Sequence, residues 1–253
     1  MSNMKIDIMT LFPDTVDAVM HSSIMGRAMS RGLIDIQSTN IRDFSPTRNR
    51  RTDDYPYGGG KGLVMLAEPL FLCHEHLCAG EHVHTILMSP QGKTFNQDKA
   101  RELLERKHII LVCGHYEGID ERFIDECVDE EISMGDFVLT GGEIPAMAIA
   151  DCVCRMVPGV LSEETCFTEE SHWAGVLEYP QYTRPEVWRD RKVPEILLSG
   201  HHANIKKWQR KQALMRTYLR RPELLETAPL SAEDANFLTE LQLRLARGEK
   251  IDL

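Results

Sequence analysis

Apolar and polar positions change period several times along the chain, and the changes divide it into elements. Residues 5–11 alternate at period two and predict a strand, followed by Phe12-Pro13. Residues 14–31 have helical spacing and predict one helix ended by Gly32, after which 33–41 return to a strand pattern. Residues 44–63 are rich in Arg, Pro and Gly and predict a loop. Helical spacing resumes over 67–79, and a short strand over 85–88 stops at Ser89-Pro90-Gln91-Gly92. Thr94-x-x-Gln97 has the form of a capping box for a helix running to Arg106. Residues 108–113 are a strand-like apolar run, 119–127 predict a helix, and 143–156 predict another, stopped by Pro158-Gly159.

Strands alternating with helices imply an α/β fold with a mainly parallel sheet. Residues 160–199 show little periodicity and several prolines, and predict a linker with mobile loops. Two more helices are expected over 204–219 and 231–246. Ser231 and Asp234 cap the second, and Phe237, Leu238, Leu241 and Leu245 give it one apolar stripe. The expected organisation is an α/β domain over 1–160, a linker over 161–200 and a small helical domain over 201–253.

Composition narrows the class. A chain of 253 residues can bury a substantial core. No apolar run approaches the ~20 residues that span a bilayer, and the first residues do not have the form of a secretory signal. A cytoplasmic protein with no membrane partner is expected. The seven cysteines are odd in number and form no Cys-x-x-Cys pair, so reduced, mostly buried thiols are expected. Cys73-His74-Glu75-His76-Leu77-Cys78, with His82 and His84, invites comparison with a zinc site. On a helix, however, Cys73 and His76 share a face while Cys78 does not, and no second ligand cluster follows at finger spacing. A surface helix and loop are the expectation there.

Charge is distributed unevenly around a net −10. Residues 117–170 carry fifteen acids and two bases, Arg122 and Arg155. Residues 201–222 carry seven bases and no acid: Lys206, Lys207, Arg210, Lys211, Arg216, Arg220 and Arg221, interleaved with Trp208 and Tyr218. Arg42, Arg48, Arg50 and Arg51 form a second basic cluster. An acidic body with basic surfaces suits a polyanionic partner, RNA or DNA.

Within the acidic stretch, two apolar strands end in glycine-rich turns, at Gly114-His-Tyr-Glu-Gly118 and at Gly135 through Gly141-Gly142-Glu143. A third turn follows Met88. Glycine lets main-chain donors and acceptors approach a ligand closely, and ligands of parallel sheets bind at strand carboxyl ends. Glu117, Asp120, Asp136 and Glu143 would favour a cation there over a phosphate. No Gly-x-Gly-x-x-Gly marks a dinucleotide fold. Tyr57-Gly-Gly-Gly-Lys-Gly62 lacks Walker spacing, and is either a flexible loop that meets a substrate or a tight turn.

These segments, with Leu11-Phe-Pro13, Gly26-Arg27-Ala28, Ile41-Arg-Asp-Phe44, Pro158-Gly-Val160, Tyr182-Thr-Arg-Pro185, Leu197-Leu-Ser-Gly-His-His-Ala-Asn204 and Arg220-Arg-Pro-Glu-Leu-Leu225, resemble the bacterial tRNA (guanine-N1)-methyltransferases. Those enzymes belong to the knotted SPOUT class, and the resemblance covers nearly the whole chain. It implies a deep trefoil knot in the first domain and S-adenosylmethionine as methyl donor. The donor would lie against Leu87, Met88, Ser89, Pro90 and Gln91, against Gly114, Tyr116, Glu117 and Gly118, and against Ser133, Met134, Gly135, Asp136, Phe137, Val138, Leu139, Gly141 and Gly142, with Pro145. It also implies a homodimer whose active sites are shared between subunits, and Mg2+-dependent activity. Glu117 is the candidate to influence such an ion, although no ligand set is defined.

The substrate implied is tRNA, at the guanine immediately 3′ of the anticodon when another guanine precedes it. Arg155 matches the family arginine that stabilises charge at guanine O6. The family's general base is an aspartate in a Thr-Glu-Asp-Ser-like loop, whereas this chain reads Thr168-Glu169-Glu170-Ser171 and puts Glu170 at that position. Glutamate has a similar reference pKa, ~4.3 against ~3.9, but is one methylene longer; Glu169 is the alternative base. Lys206, Lys207, Arg210, Lys211, Arg216 and Arg220 are expected to grip the anticodon stem. Two other readings remain open: a knotted methyltransferase acting on a ribose 2′-hydroxyl or another base, and a non-catalytic RNA-binding regulator.

Overall fold

The computed structural model describes residues 4–163 and 165–249. They fall into two compact units, Met1–Glu164 and Thr165–Leu253. The first opens with β1 (Met4–Thr10), α1 (Pro13–Met20), α2 (Ser23–Ser30) and β2 (Ile34–Asn40). The two-residue strands β3 (Asp53–Asp54) and β4 (Val64–Met65) pair antiparallel, and α3 (Ala67–Cys78) follows. Next come β5 (His84–Thr94), α4 (Gln97–Arg106), β6 (His108–Cys113), α5 (Glu121–Cys127), β7 (Glu130–Ser133) and α6 (Glu143–Cys154).

Five strands form one sheet in the order β2-β1-β6-β5-β7, every neighbouring pair parallel. The α/β class expected from the alternation is the one found. A central parallel strand is covered on both faces, which is why β6 reads as a nearly unbroken apolar run. Its Ile110 and Val112 join Met9, Leu70, Cys73 and Phe123 under α3 and α5. The intervening Ile109 and Leu111 point to the opposite face, where α6 packs on β1 and β6 and contacts α1 and α4.

Three expectations change. The single helix over 14–31 is two, α1 and α2, with Ser23 at φ +50° opening the second. The second helix passes so close to the end of the first that a Cβ on Gly26 would lie 2.1 Å from the His21 carbonyl oxygen. Helix α4 is capped by Asn96, whose side chain accepts from the Lys99 N–H at 2.9 Å, because Thr94 is the last residue of β5. The strand over 85–88 continues to Thr94, but its ladder to β7 shifts between Met88 and Lys93 and throws residues 89–92 outward.

No cysteine among the described residues is in a disulfide. Burial pushes the thiols of Cys73 and Cys154 up to about 12 and that of Cys127 to about 11, and raises Cys113 well above its ordinary value. His74 and Cys78, weighed as metal ligands, instead contact each other at 3.4 Å, and His74 Nε2 lies 2.9 Å from Thr85 Oγ1. No helix among the described residues is long and apolar enough to cross a membrane.

The second unit holds α7 (Thr165–Thr168), the hairpin strands β8 (Val187–Trp188) and β9 (Arg191–Lys192), α8 (Glu195–Leu198), α9 (His202–Arg220) and α10 (Ala232–Ala246). Its core joins Ala213, Leu214 and Met215 of α9 to Leu238 and Leu241 of α10. Val176, within the span read as a linker, is buried in the same core. Ser231 and Asp234 form the expected capping box. Arg210 donates to both carboxylate oxygens of Asp234, at 3.2 and 3.0 Å, and so ties α9 to α10.

Burial opposes ionisation of Asp234, but hydrogen bonds from Arg210 and Ser231 outweigh it and hold the carboxyl below the usual range. A lowered folded pKa contributes stability that is present above the unfolded value, ~3.9, and is lost as pH falls through the folded one. Asp234→Asn is therefore expected to lower the melting temperature at neutral pH, and the gap from the parent protein should narrow as pH falls below about 4. Thermal melts followed by circular dichroism at a series of pH values check this.

Candidate active site

The carboxyl ends of β5, β6 and β7 lie side by side, and the loops leaving them enclose a cavity of about 350 Å³. That is within the size range of small-molecule sites. Its walls are residues 87–91, 114–119, 131–134 and 137–142, with Glu121, Ile124 and Pro145.

Absent side chains let these loops converge. A Cβ on Gly142 would stand 2.6 Å from Cys113 Cα and 3.0 Å from the Gly114 nitrogen. Its φ of −82° is open to any residue, so space rather than rotation demands glycine. The Gly142 N–H donates to the Gly114 carbonyl at 2.9 Å, and His115 bridges Gly141 antiparallel. The 114–120 turn is tied to β4: Glu117 N–H donates to Leu63 O, Met65 N–H to Gly118 O and Asp120 N–H to Met65 O, at 2.9–3.0 Å. Tyr116 is held at φ +60°, and its hydroxyl accepts from Arg42 Nη2 at 3.3 Å. Glu117 lies over Gly62, where a Cβ would stand 2.4 Å from its side chain, so the Tyr57–Gly62 turn flanks this wall.

Of the donor-binding residues expected, all line the cavity except Gly135 and Asp136. Among the four acids singled out as its charge, only Glu117 does. Asp120 is engaged by Arg122 Nε and Nη2 at 2.8 and 2.6 Å, and those hydrogen bonds hold its carboxyl below the usual range. Glu143 is buried and accepts from Thr10 Oγ1 at 2.7 Å. The sequence reading missed Glu121 and Glu131, which bring negative charge to the wall. Glu131 shares a strand face with Ser133, and that alternation was an available signal. His115, given no role, also lines the cavity; its Nδ1 is buried without a hydrogen-bond partner among the described residues.

Neither of the two proposed chemical residues is among those that line the cavity. Arg155 caps the carboxyl end of α6, its N–H donating to Asp151 O at 3.0 Å. The helix starts at the cavity, and the rise along its axis from Gly142 to Arg155 is roughly 20 Å. Glu170 is in the second unit, partly buried, beside an exposed Glu169. Of the α9 cations, Lys206, Lys207 and Arg220 are exposed. Arg210 is held by Asp234, Lys211 Nζ sits 5.6 Å from the Phe237 ring centre, and Arg216 Nη1 donates to Glu178 O at 3.2 Å. Among the described residues no three His, Cys, Asp or Glu side chains converge as an ion cage.

Comparison with known proteins agrees with this architecture. The family model described as tRNA (guanine-1)-methyltransferase TrmD matches residues 4–227. A tRNA (guanine-N(1)-)-methyltransferase of Ruminiclostridium cellulolyticum is 53% identical over 89% of this chain and 98% of its own length. One from Desulforamulus reducens is 52% identical over 94% and 95%, and one from Staphylococcus epidermidis 48% over 96% and 99%.

Gly142→Ala is expected to push the start of α6 off β6, and to weaken binding of S-adenosylhomocysteine by about tenfold or more, roughly 1.4 kcal/mol. Gly114→Ala should be tolerated, because the nearest atoms to its Cβ are side-chain carbons at 3.6–3.9 Å. Isothermal titration of both variants compares the two.

Proposed function

The chain belongs to the tRNA (guanine-1)-methyltransferase family, a premise from which we propose that the cavity at the strand ends holds S-adenosylmethionine while N1 of a tRNA guanine is methylated. The activity is tRNA guanine-N1 methylation with S-adenosylmethionine as donor. The target we infer is the guanine immediately 3′ of the anticodon, in tRNAs where another guanine precedes it.

The cavity carries the reading. Its walls are main chain at glycine-rich strand ends, which can offer N–H and C=O groups to an adenine, and its acids are Glu117, Glu121 and Glu131. When bound, the donor supplies a methyl group on a positively charged sulfur, which such acids favour over an anion. Residues 134–142 leave the edge strand β7, pass the end of β5 and rejoin β6 at Gly114. We read this passage as part of the trefoil knot expected of the family.

N1 of neutral guanine carries a proton and has no free lone pair for the methyl group. Glu170 takes that proton, and Arg155 stabilises the negative charge that develops on O6. General bases of this kind contribute about 10²–10⁴-fold. Glu117, on the cavity wall, is the residue that would influence a Mg2+ ion. The distance of Arg155 along α6 from the cavity on its own chain supports a homodimer in which a second copy completes each site. Lys206, Lys207 and Arg220 grip phosphates, an attraction that weakens with salt, and the guanine leaves its stack to be modified.

Methyl transfer from labelled donor to two tRNA transcripts, with guanine or adenine after the anticodon, tests this. Label is expected as 1-methylguanosine on the guanine transcript alone. Label on neither, with the donor still bound, would favour the regulator reading. Glu170→Gln is expected to lower the single-turnover rate by about 10²-fold or more while Glu169→Gln does not; the reverse result would move the base to Glu169.

A further inference from the structure

Residues 171–178 form a closed loop inside the second unit. Ser171 Oγ accepts from the Glu178 N–H, and the His172 N–H donates to Val176 O, both at 2.9 Å. The chain reverses through His172 and Gly175, each at φ +71°. A Cβ on Gly175 would stand 3.1 Å from Ala228 Cα, so the tip of the loop lies against main chain.

Three contacts fasten this loop to α9. Val176 is buried with Ala213, Leu214 and Met215. The Leu177 N–H donates to Thr217 Oγ1 at 2.9 Å, and Glu178 O accepts from Arg216 Nη1 at 3.2 Å. Thr217 is 0% exposed, and its hydroxyl proton goes to Ala213 O at 2.7 Å. A hydroxyl has one proton, so Thr217 Oγ1 can only accept from Leu177. Valine would fill the same volume and leave that N–H without its acceptor.

Glu170 immediately precedes this loop. We propose that Thr217 and Arg216 are positioning residues for the general base: by fixing residues 171–178 to α9 they set where the Glu170 carboxylate stands. The inference rests on Glu170 being the base, as read above. It also gives α9 two duties on one rigid rod. Lys206 and Lys207 are exposed near its start, and Thr217 lies about 16 Å further along. The phosphate grip and the placement of the base are thereby registered on a single helix. Placement matters more with glutamate than with aspartate, since its extra methylene must be accommodated and a shift of about 1 Å can cost on the order of a hundredfold in rate.

The test compares Thr217→Val and Thr217→Ser with the parent in single-turnover methylation, alongside separate measurements of tRNA and S-adenosylmethionine affinity. Thr217→Val is expected to lower the rate by about tenfold or more, with both affinities within about twofold, and Thr217→Ser to restore most of it. A parental rate in Thr217→Val overturns the proposal. So does a loss that serine fails to repair, or one matched by an equal loss of tRNA affinity. If Thr217→Val does not fold, Ser171→Ala, which removes the hydrogen bond closing the loop, carries the test with the same expected and overturning results. Glu170→Gln runs in parallel. Full activity there would remove the base reading itself, whereas an inactive Glu170→Gln beside a fully active Thr217→Val would remove only the positioning role.

Discussion

Main chain resting on main chain, with no side chain between, is the contact on which the first unit depends. Gly142 lies against Cys113 and Gly114 at a distance no Cβ could share. That contact brings the start of α6 to the end of β6 and closes the 134–142 segment over the ends of β5 and β7. The remaining geometry follows. A parallel sheet leaves unpaired donors and acceptors at its strand ends, and loops without side chains keep them reachable. The bulge at residues 89–92 supplies the third wall, and Gly92 allows it, since a Cβ there would lie 2.3 Å from the Glu131 carbonyl.

Charge is divided between binding and assembly in a way composition does not reveal. The cavity takes its acids from three elements, while Asp120 and Glu143 are spent on Arg122 and Thr10. In the second unit the basic helix uses half of its highlighted cations inwardly: Arg210 ties it to α10, Lys211 covers Phe237, and Arg216 holds the 171–178 loop. A cation bound to a buried or capped partner is a structural element first, and only the exposed remainder is free to meet a polyanion.

The periods of burial made most of the fold legible. β6 reads as a strand because both faces are covered, and α10 as a helix because one stripe enters a core. The loops that line the cavity were legible because glycine at a strand end has few other uses. What escaped depends on partners distant in sequence. The break between α1 and α2 comes from Gly26 meeting His21 across a turn, which helical periodicity alone does not encode. The cap of α4 shifted to Asn96 because β5 claims Thr94. The span 165–200 has no period to read, since among its described residues Val176 enters the core of the second unit and Tyr179 packs against it. The fate of Arg210 was hidden because Asp234 lies on another helix.

The buried thiols carry a consequence for the chemistry of oxidation. Oxidants attack the thiolate, and a pKa of about 12 leaves on the order of one Cys73 or Cys154 in 10⁵ ionised at neutral pH. Full burial and the nearby Glu143 carboxylate raise Cys113 in the same direction. Cys166, exposed on α7, is the site where peroxide would meet sulfur first. It lies four residues before Glu170, so the first oxidative lesion would fall in the second unit rather than at the strand-end cavity.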